Sequence, residues 1–210
     1  MKIEKFAHFL LEFPRNIAWF LAVVCFLAIP SAVVAQNLTI DLDPAATKIN
    51  FTLSATMHTV HGTFRLKGGE IRFDPGTGQM SGSIVVDATS GDTDNKSRDA
   101  KMHSDVLESG QFPEIVFTPK TVKGPVVQML NQQKAAQLEI DGFFSLHGQD
   151  HAAAIPISVQ PGPAGRMDID AQFPVPYQAW GLKNPSTFVL KVGDTVNLDV
   201  HTTGRIVMSP

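Results

Sequence analysis

Ile49-Asn50-Phe51-Thr52-Leu53-Ser54-Ala55 sets an apolar or small side chain at every second position and a polar one between. That period of two belongs to an extended chain, whose side chains point alternately to opposite faces. One face therefore seeks a core and the other seeks water, as in an antiparallel sheet with one wet side. The same pattern returns along the chain. Ile71 and Phe73 flank Arg72, and Ile84 and Val86 sit among Ser83, Val85 and Asp87. Leu138, Ile140 and Phe144 share a parity against Glu139 and Asp141, and Ile155, Ile157 and Val159 follow. Met167, Ile169, Ala171 and Phe173 alternate with Asp168 and Asp170, and Leu198 and Val200 with Asn197, Asp199 and His201. About eight such strands predict an all-β chain, either a closed antiparallel barrel or a sandwich.

Turn chemistry separates the strands. Lys67-Gly68-Gly69-Glu70 and Asp74-Pro75-Gly76-Thr77-Gly78 read as tight turns, and Pro161–Gly165 as a loop. Asp141-Gly142 falls within a strand pattern and predicts a bulge or bend. Val192-Gly193-Asp194-Thr195 reads as the hairpin joining the last two strands, and the polar piece from Gln128 to Ala136 as a long hairpin tip. The alternation breaks between Asp94 and Leu107, where Arg98, Met102, Val106 and Leu107 suit one short helix capped by Thr93 or Asp94.

The first 35 residues differ from the rest. Lys2, Lys5 and Arg15 precede an apolar run from Ile17 to Ile29, then Pro30-Ser31 and Val33-Val34-Ala35. A basic start, a short apolar core and small residues before the cut predict a secretory signal peptide cleaved after Ala35. The run falls short of the roughly 20 residues that span a bilayer. An uncleaved anchor is the alternative. A lipoprotein site at Cys25 fits poorly, with Val24 before it and the cysteine in mid-run. The expected organisation is thus a signal over 1–35 and one domain over 36–210, exported to the periplasm, with no stable membrane insertion once the signal is removed.

Of the whole chain's 17 Lys and Arg and 20 Asp and Glu, 14 and 18 lie beyond Ala35, a net charge of −4 there. Such a balance argues against nucleic acid, whose recognition depends on phosphate neutralisation. The single cysteine, Cys25, leaves with the signal, so the mature chain has neither disulfide nor thiolate. Nucleophile elbows and phosphate-cradling glycine loops are missing from the sequence. An enzyme is therefore not expected. Six histidines follow Ala35, including the pairs His58/His61 and His147/His151. Residues four apart on a straight strand stand roughly 13 Å from each other. Only a turn at Gly148-Gln149-Asp150 brings His147 to His151, and no metal site is expected. Asp168 and Asp170, beside Arg166, read as a solvated outer face.

What remains is apolar volume. A barrel of about eight strands either fills its interior with side chains or holds a small ligand, and periodicity does not separate the two.

Several fragments, in order, resemble the YceI-like family of lipid-binding (polyisoprenoid-binding) proteins. They are Val60-His61-Gly62-Thr63-Phe64, Gly68–Pro75, Ser97-Arg98-Asp99 with Met102-His103-Ser104, Phe112–Phe117, Leu146-His147-Gly148 and Val192–Leu198. Tyr177–Leu182 followed by Asn184-Pro185-Ser186 looks like that family's pre-hairpin loop. The chain departs from the family pattern at Val106-Leu107 and Gln149–Ala153. The resemblance implies an extended lipocalin-like antiparallel β-barrel with a helix near its mouth. It also implies a periplasmic, non-enzymatic protein that carries or sequesters an isoprenoid or other long-chain lipid. An isoprenoid quinone belongs to the same class of ligand, with no cofactor beyond it.

On that footing the expected lining is Phe51, Phe64, Phe73, Ile84, Phe117, Phe144, Met167, Phe173, Trp180 and Phe188. Arg98, Asp99 and His103 are the expected head-group contacts. Two other readings stand beside this one: a partner of a quinone- or cytochrome-linked redox system, and a filled barrel acting through its surface. The sequence leaves the oligomeric state open, a homodimer included.

Overall fold

The computed structural model describes residues 37–208, so the expected signal peptide and its cleavage site lie outside the described residues. Nine strands follow one another: β1 Leu38–Leu42, β2 Lys48–Ala55, β3 Thr59–Phe73, β4 Met80–Asp92, β5 Glu114–Lys123, β6 Ala136–Leu146, β7 Gln149–Pro161, β8 Arg166–Val175 and β9 Val192–Met208. Two short helices interrupt them, α1 Lys96–Lys101 and α2 Val126–Gln132. Every strand pairing is antiparallel. Strands β2 to β9 pair in sequence order, and β9 returns to β2 to close the ring. The fold is therefore a closed eight-stranded antiparallel barrel with one extra strand.

The extra strand completes a stave. β2 pairs with β3 and β9 at one level (Phe51 opposite both Gly62 and Leu198), and β1 pairs with the same two strands further along (Ile40 opposite both Ile71 and Ile206). Between them Asp43–Thr47 makes a jog around a 3₁₀ turn at Pro44–Ala46, where the Asp43 side chain accepts from the Ala45 N–H at 2.9 Å. β3 and β9 are the longest strands because each spans both levels.

A meander reverses direction at each connection, and this sorts the loops into two ends. Segments 56–58, 93–113, 147–148 and 176–191 gather at one end, and 74–79, 124–135 and 162–165 at the other. The second end is plugged. Val126 and Met129 of α2 are buried in one cluster with Phe73, Leu138, Val159 and Met167.

Several turn readings change. Lys67–Glu70 is no turn: it lies inside β3, where the register shifts between Leu66 and Gly68, so the glycines mark a bulge that bends a long strand. Val192–Thr195 is the start of β9 and not a hairpin, because β8 and β9 are joined by the whole of segment 176–191. The stretch from Gln128 onward is helical up to Gln132, since Val126 and Met129 supply an apolar side for it to bury. The bulge foreseen at Asp141-Gly142 sits across the ladder, between Pro119 and Thr121 of β5. Helix α1 is capped by Asn95, whose side chain accepts from the Arg98 N–H at 3.0 Å; Asp94 takes a positive φ, and Thr93 serves elsewhere. The Asp74–Gly78 turn is present, with the Asp74 carboxylate accepting from the Gly76 N–H at 2.8 Å.

His147-Gly148 is a two-residue hairpin with both φ values positive (53° and 74°), the geometry that suits a right-twisted ladder. Glycine is needed at the second position twice over, since a Cβ there would also sit 2.7 Å from the Phe112 ring.

Candidate functional site

Inside the barrel, above the plug, lie two cavities. The larger, about 490 Å³, opens at the end bearing α1 and segment 176–191. The deeper holds about 170 Å³. Phe64, Ile115, Phe144 and Leu198 line both, so they form the waist where the cavities meet. Many inward side chains, such as Ile84, Phe173, Leu198 and Val200, are only half-buried although they face the barrel axis. Their exposure is to the cavity rather than to the outside.

The deep cavity is walled by Ile49, Ile84, Phe117, Ile157, Ala171, Phe173 and their neighbours. Its polar groups are the Thr47 and Thr202 hydroxyls, which bond one another at 2.7 Å and leave no demand on a guest. At the waist, Phe144 lies 6.5 Å from Phe117, 6.3 Å from Phe173 and 5.5 Å from Trp180, ring centre to ring centre. Phe51 lies against Gly62, its partner across the ladder; any Cβ at 62 would overlap the ring. The glycine thus sets how far Phe51 can lie back against the wall of the larger cavity.

Charged groups, and polar groups beyond the Thr47–Thr202 pair, appear towards the mouth. Thr93, Asn95, Ser97, Arg98 and Lys101 line it from the α1 side. The Thr93 N–H and hydroxyl donate to Asp99 (3.0 and 2.5 Å), while Arg98 donates through Nε and Nη2 to the Thr93 hydroxyl and carbonyl (2.8 and 2.7 Å). Asp99 therefore holds the loop in shape and does not line the cavity. His103 is likewise committed, to Ser109 Oγ at 3.0 Å and the Gly91 carbonyl at 2.9 Å. Of the three expected head-group residues, Arg98 alone lines the mouth, and Lys101, one turn on, joins it. Met102 lines it too, at the start of a π-helical turn over Met102–Val106.

Segment 176–191 forms the opposite rim. Tyr177 and Leu182 are buried anchors of this segment and line the cavity. The Tyr177 hydroxyl donates to the Gly193 carbonyl at 2.6 Å, and burial pushes its phenol up to about 12.

The expected lining residues divide. Phe51, Phe64, Ile84, Phe117, Phe144 and Phe173 line one or both cavities. Phe73 and Met167 do not: they face inward but belong to the packed plug. Trp180 lines neither cavity. It backs the waist, stacked on His151 with ring centres 4.4 Å apart and planes 1° from parallel. Phe188 points away from the cavity and is 97% exposed at the apex of a turn. Leu53, Ile115, Val196 and Leu198 line the cavities without having been singled out. Parity with Phe51 or Val200 was the available signal for Leu53, Val196 and Leu198.

His147 and His151 do not meet. The first packs on Phe112 and lies 3.4 Å from the Glu108 carboxylate, and the second stacks on Trp180. Among the described residues no three His, Cys, Asp or Glu are grouped to hold an ion, and no helix is long and apolar enough to cross a membrane. Asp168 and Asp170 lie on the outer face. Arg166 and Thr203 donate to Asp168 and hold its carboxyl below the usual carboxylate range, and His201 pairs with Asp170 at 2.7 Å.

Comparison with known proteins agrees with this architecture. The model of the YceI-like domain family matches residues 41–204. Among solved structures, Burkholderia cenocepacia BcnA is similar at 17% identity and a TM-score of 0.62, over 77% of this chain and 98% of its own. A polyisoprenoid-binding domain from Saccharophagus degradans, described as implicated in plant cell wall breakdown, is similar at 17% identity and a TM-score of 0.59, over 80% and 98%. A Campylobacter jejuni YceI protein is similar at 15% identity and a TM-score of 0.54, over 74% and 88%. No curated protein matches the chain.

Proposed function

The chain belongs to the YceI-like domain family, and from that membership we propose that it is a non-enzymatic carrier that holds the tail of an isoprenoid or another long-chain lipid. The observation that carries this reading is the pair of joined apolar cavities, closed at one end and open at the other. Their size falls within the roughly 300–1,000 Å³ usual for small-molecule sites. The similar Saccharophagus degradans domain, described as polyisoprenoid-binding, supports the same ligand class.

The physics favours a tail entering first. A saturated or isoprenoid chain brings no hydrogen-bonding groups, and the deep cavity asks for none. Each CH₂-sized group buried contributes about 0.8 kcal/mol, so affinity grows with the length that fits. The head group stays at the mouth, where Asn95, Ser97, Arg98 and Lys101 offer donors and positive charge to a phosphate, hydroxyl or quinone oxygen. Nothing in this scheme calls for bond making. The signal-like N-terminus supports export to the periplasm, where a water-insoluble tail needs a protein to cross the aqueous space.

The test is native mass spectrometry of the protein purified without detergent. A discrete adduct of several hundred daltons, released by organic solvent, is expected. A Phe144→Asp variant, folded by circular dichroism, should lose it. An apo mass for freshly prepared protein, together with no uptake of added polyprenyl phosphate, overturns the carrier reading.

A further inference from the structure

We propose that the open end of the barrel docks reversibly on the surface of a lipid bilayer through a projecting apolar tip. The tip is built from two segments. Thr56 and Lys191 tie the β2–β3 turn to segment 176–191: the Thr56 N–H donates to the Lys191 carbonyl at 2.9 Å, and the Lys191 N–H to the Thr56 hydroxyl at 2.8 Å. Beside this tie, Thr187 and Leu190 close a tight turn, with the Thr187 N–H donating to the Leu190 carbonyl at 2.8 Å and the Leu190 N–H to the Thr187 hydroxyl at 3.0 Å.

The apex of that turn is Phe188-Val189, where Gly, Asn, Asp or Ser would be usual. Phe188 is 97% exposed, Val189 83%, and Met57 on the adjoining turn 89%. A lone exposed apolar side chain needs no explanation, but three together at a ligand mouth do. Thr187 and Leu190 line the cavity from the inner side of this same turn. The patch is therefore the outer lip of the opening, and a membrane touching it would face the cavity entrance.

Charge selects the bilayer as the occupant. Neither 54–61 nor 183–193 contains an Asp or Glu, while Lys183 and Lys191 fall within the second, in a chain whose net charge is −3. Apolar side chains at the tip with flanking cations fit an interface of acyl chains beneath anionic head groups. Contact this shallow is compatible with a protein that leaves again carrying a lipid. The purpose of docking rests on the carrier reading, whereas the docking itself is tested separately.

Purified protein is floated with vesicles of phosphatidylethanolamine and phosphatidylglycerol, and with vesicles of phosphatidylcholine. The wild type is expected to float with the first. Phe188→Ser with Val189→Ser should lower partition by about tenfold or more, as the loss of two buried apolar side chains requires. Lys191→Glu should weaken binding to the anionic vesicles and leave the neutral ones unaffected. Phe188→Trp supplies a second readout, an emission blue shift on adding anionic vesicles. Wild type that stays in the buffer, a double variant that floats unchanged, or no blue shift overturns the proposal. So does a sedimentation mass showing that the tip joins two copies of the chain. Protein that carries lipid but does not float defeats docking alone, and protein that floats but holds no lipid defeats the carrier reading alone.

Discussion

The two ends of the barrel are made from the same strands and the same alternation, yet they do opposite things. At the plugged end Phe73, Val159 and Met167 are buried in one cluster with the apolar side of α2 and line neither cavity. At the open end Leu53, Phe64, Val196 and Leu198 face inward with equal parity but remain half-buried, because an empty space of about 490 Å³ lies in front of them. A helix of seven residues accounts for the plug. Where Val126 and Met129 reach into the barrel, a core results. At the mouth, α1 has no buried residue, and polar and charged groups of its segment stand at the rim. The plugged end is thus packed through, and the capacity to take up a guest lies at the other end.

The sharpest test of that contrast is a pair of truncations measured by denaturant unfolding. Phe73→Ala removes packed atoms from the plug and should cost about 3–5 kcal/mol. Leu198→Ala removes atoms that already border a void and should cost about 1 kcal/mol, mostly its remaining transfer term. Equal costs would mean that the interior is uniformly packed.

Gly62→Ala comes next. Its new methyl group overlaps the Phe51 ring, which must swing into the larger cavity, and also meets the Asp92 carbonyl at 2.6 Å, so the β3–β4 pairing must give as well. A loss of about 1–3 kcal/mol is expected, with weaker lipid uptake read by native mass spectrometry. Unchanged uptake would show that Phe51 does not shape the site.

Tyr177→Phe deletes the hydrogen bond that ties the rim to Gly193 and should cost about 1 kcal/mol. It should also change the alkaline limb of stability. Burial holds the folded phenol neutral up to about 12, while the unfolded phenol ionises near 10. Wild-type stability from this group is complete below pH 10 and is lost as the pH rises through about 12, so its melting temperature should fall across that window more steeply than the variant's. Parallel curves would place the titration elsewhere.

Ala171→Phe is expected to leave stability nearly unaltered while filling the deep cavity that Ala171 lines. The bound lipid should then become shorter or be lost. A large destabilisation instead would show that the deep space is already core.

Much of this could be read from the chain. Alternation located most of the strands, and the parity of Phe51, Phe144 and Phe173 put them on the inner face, where the structure has them. Asp74-Pro75-Gly76 announced its turn because an aspartate followed by a fixed φ and a glycine leaves few other conformations. Gly68-Gly69 misled, since paired glycines serve a bulge in a long bent strand as well as a turn. Val192–Thr195 misled for a related reason: turn residues at the head of a strand look like turn residues within a hairpin. At the mouth, Arg98, Asp99 and His103 looked equivalent in sequence. Only their places in the fold separate them: all three are hydrogen-bonded, Arg98 and Asp99 to Thr93 and His103 to Ser109 and the Gly91 carbonyl, but Arg98 alone also borders the cavity.

What the sequence determined by itself is the face on which each side chain lies. A period of two follows from local backbone geometry, so it survives without knowledge of any neighbour. What the tertiary structure alone decided is the height of each side chain along the barrel. Height depends on how eight strands are staggered against one another and on which connection folds back into the lumen. Phe73 and Phe173, alike in chemistry and in parity, became plug and cavity wall for that reason. Phe188 took its place on the outer lip only because β8 and β9 are joined by segment 176–191, which turns outward at its tip.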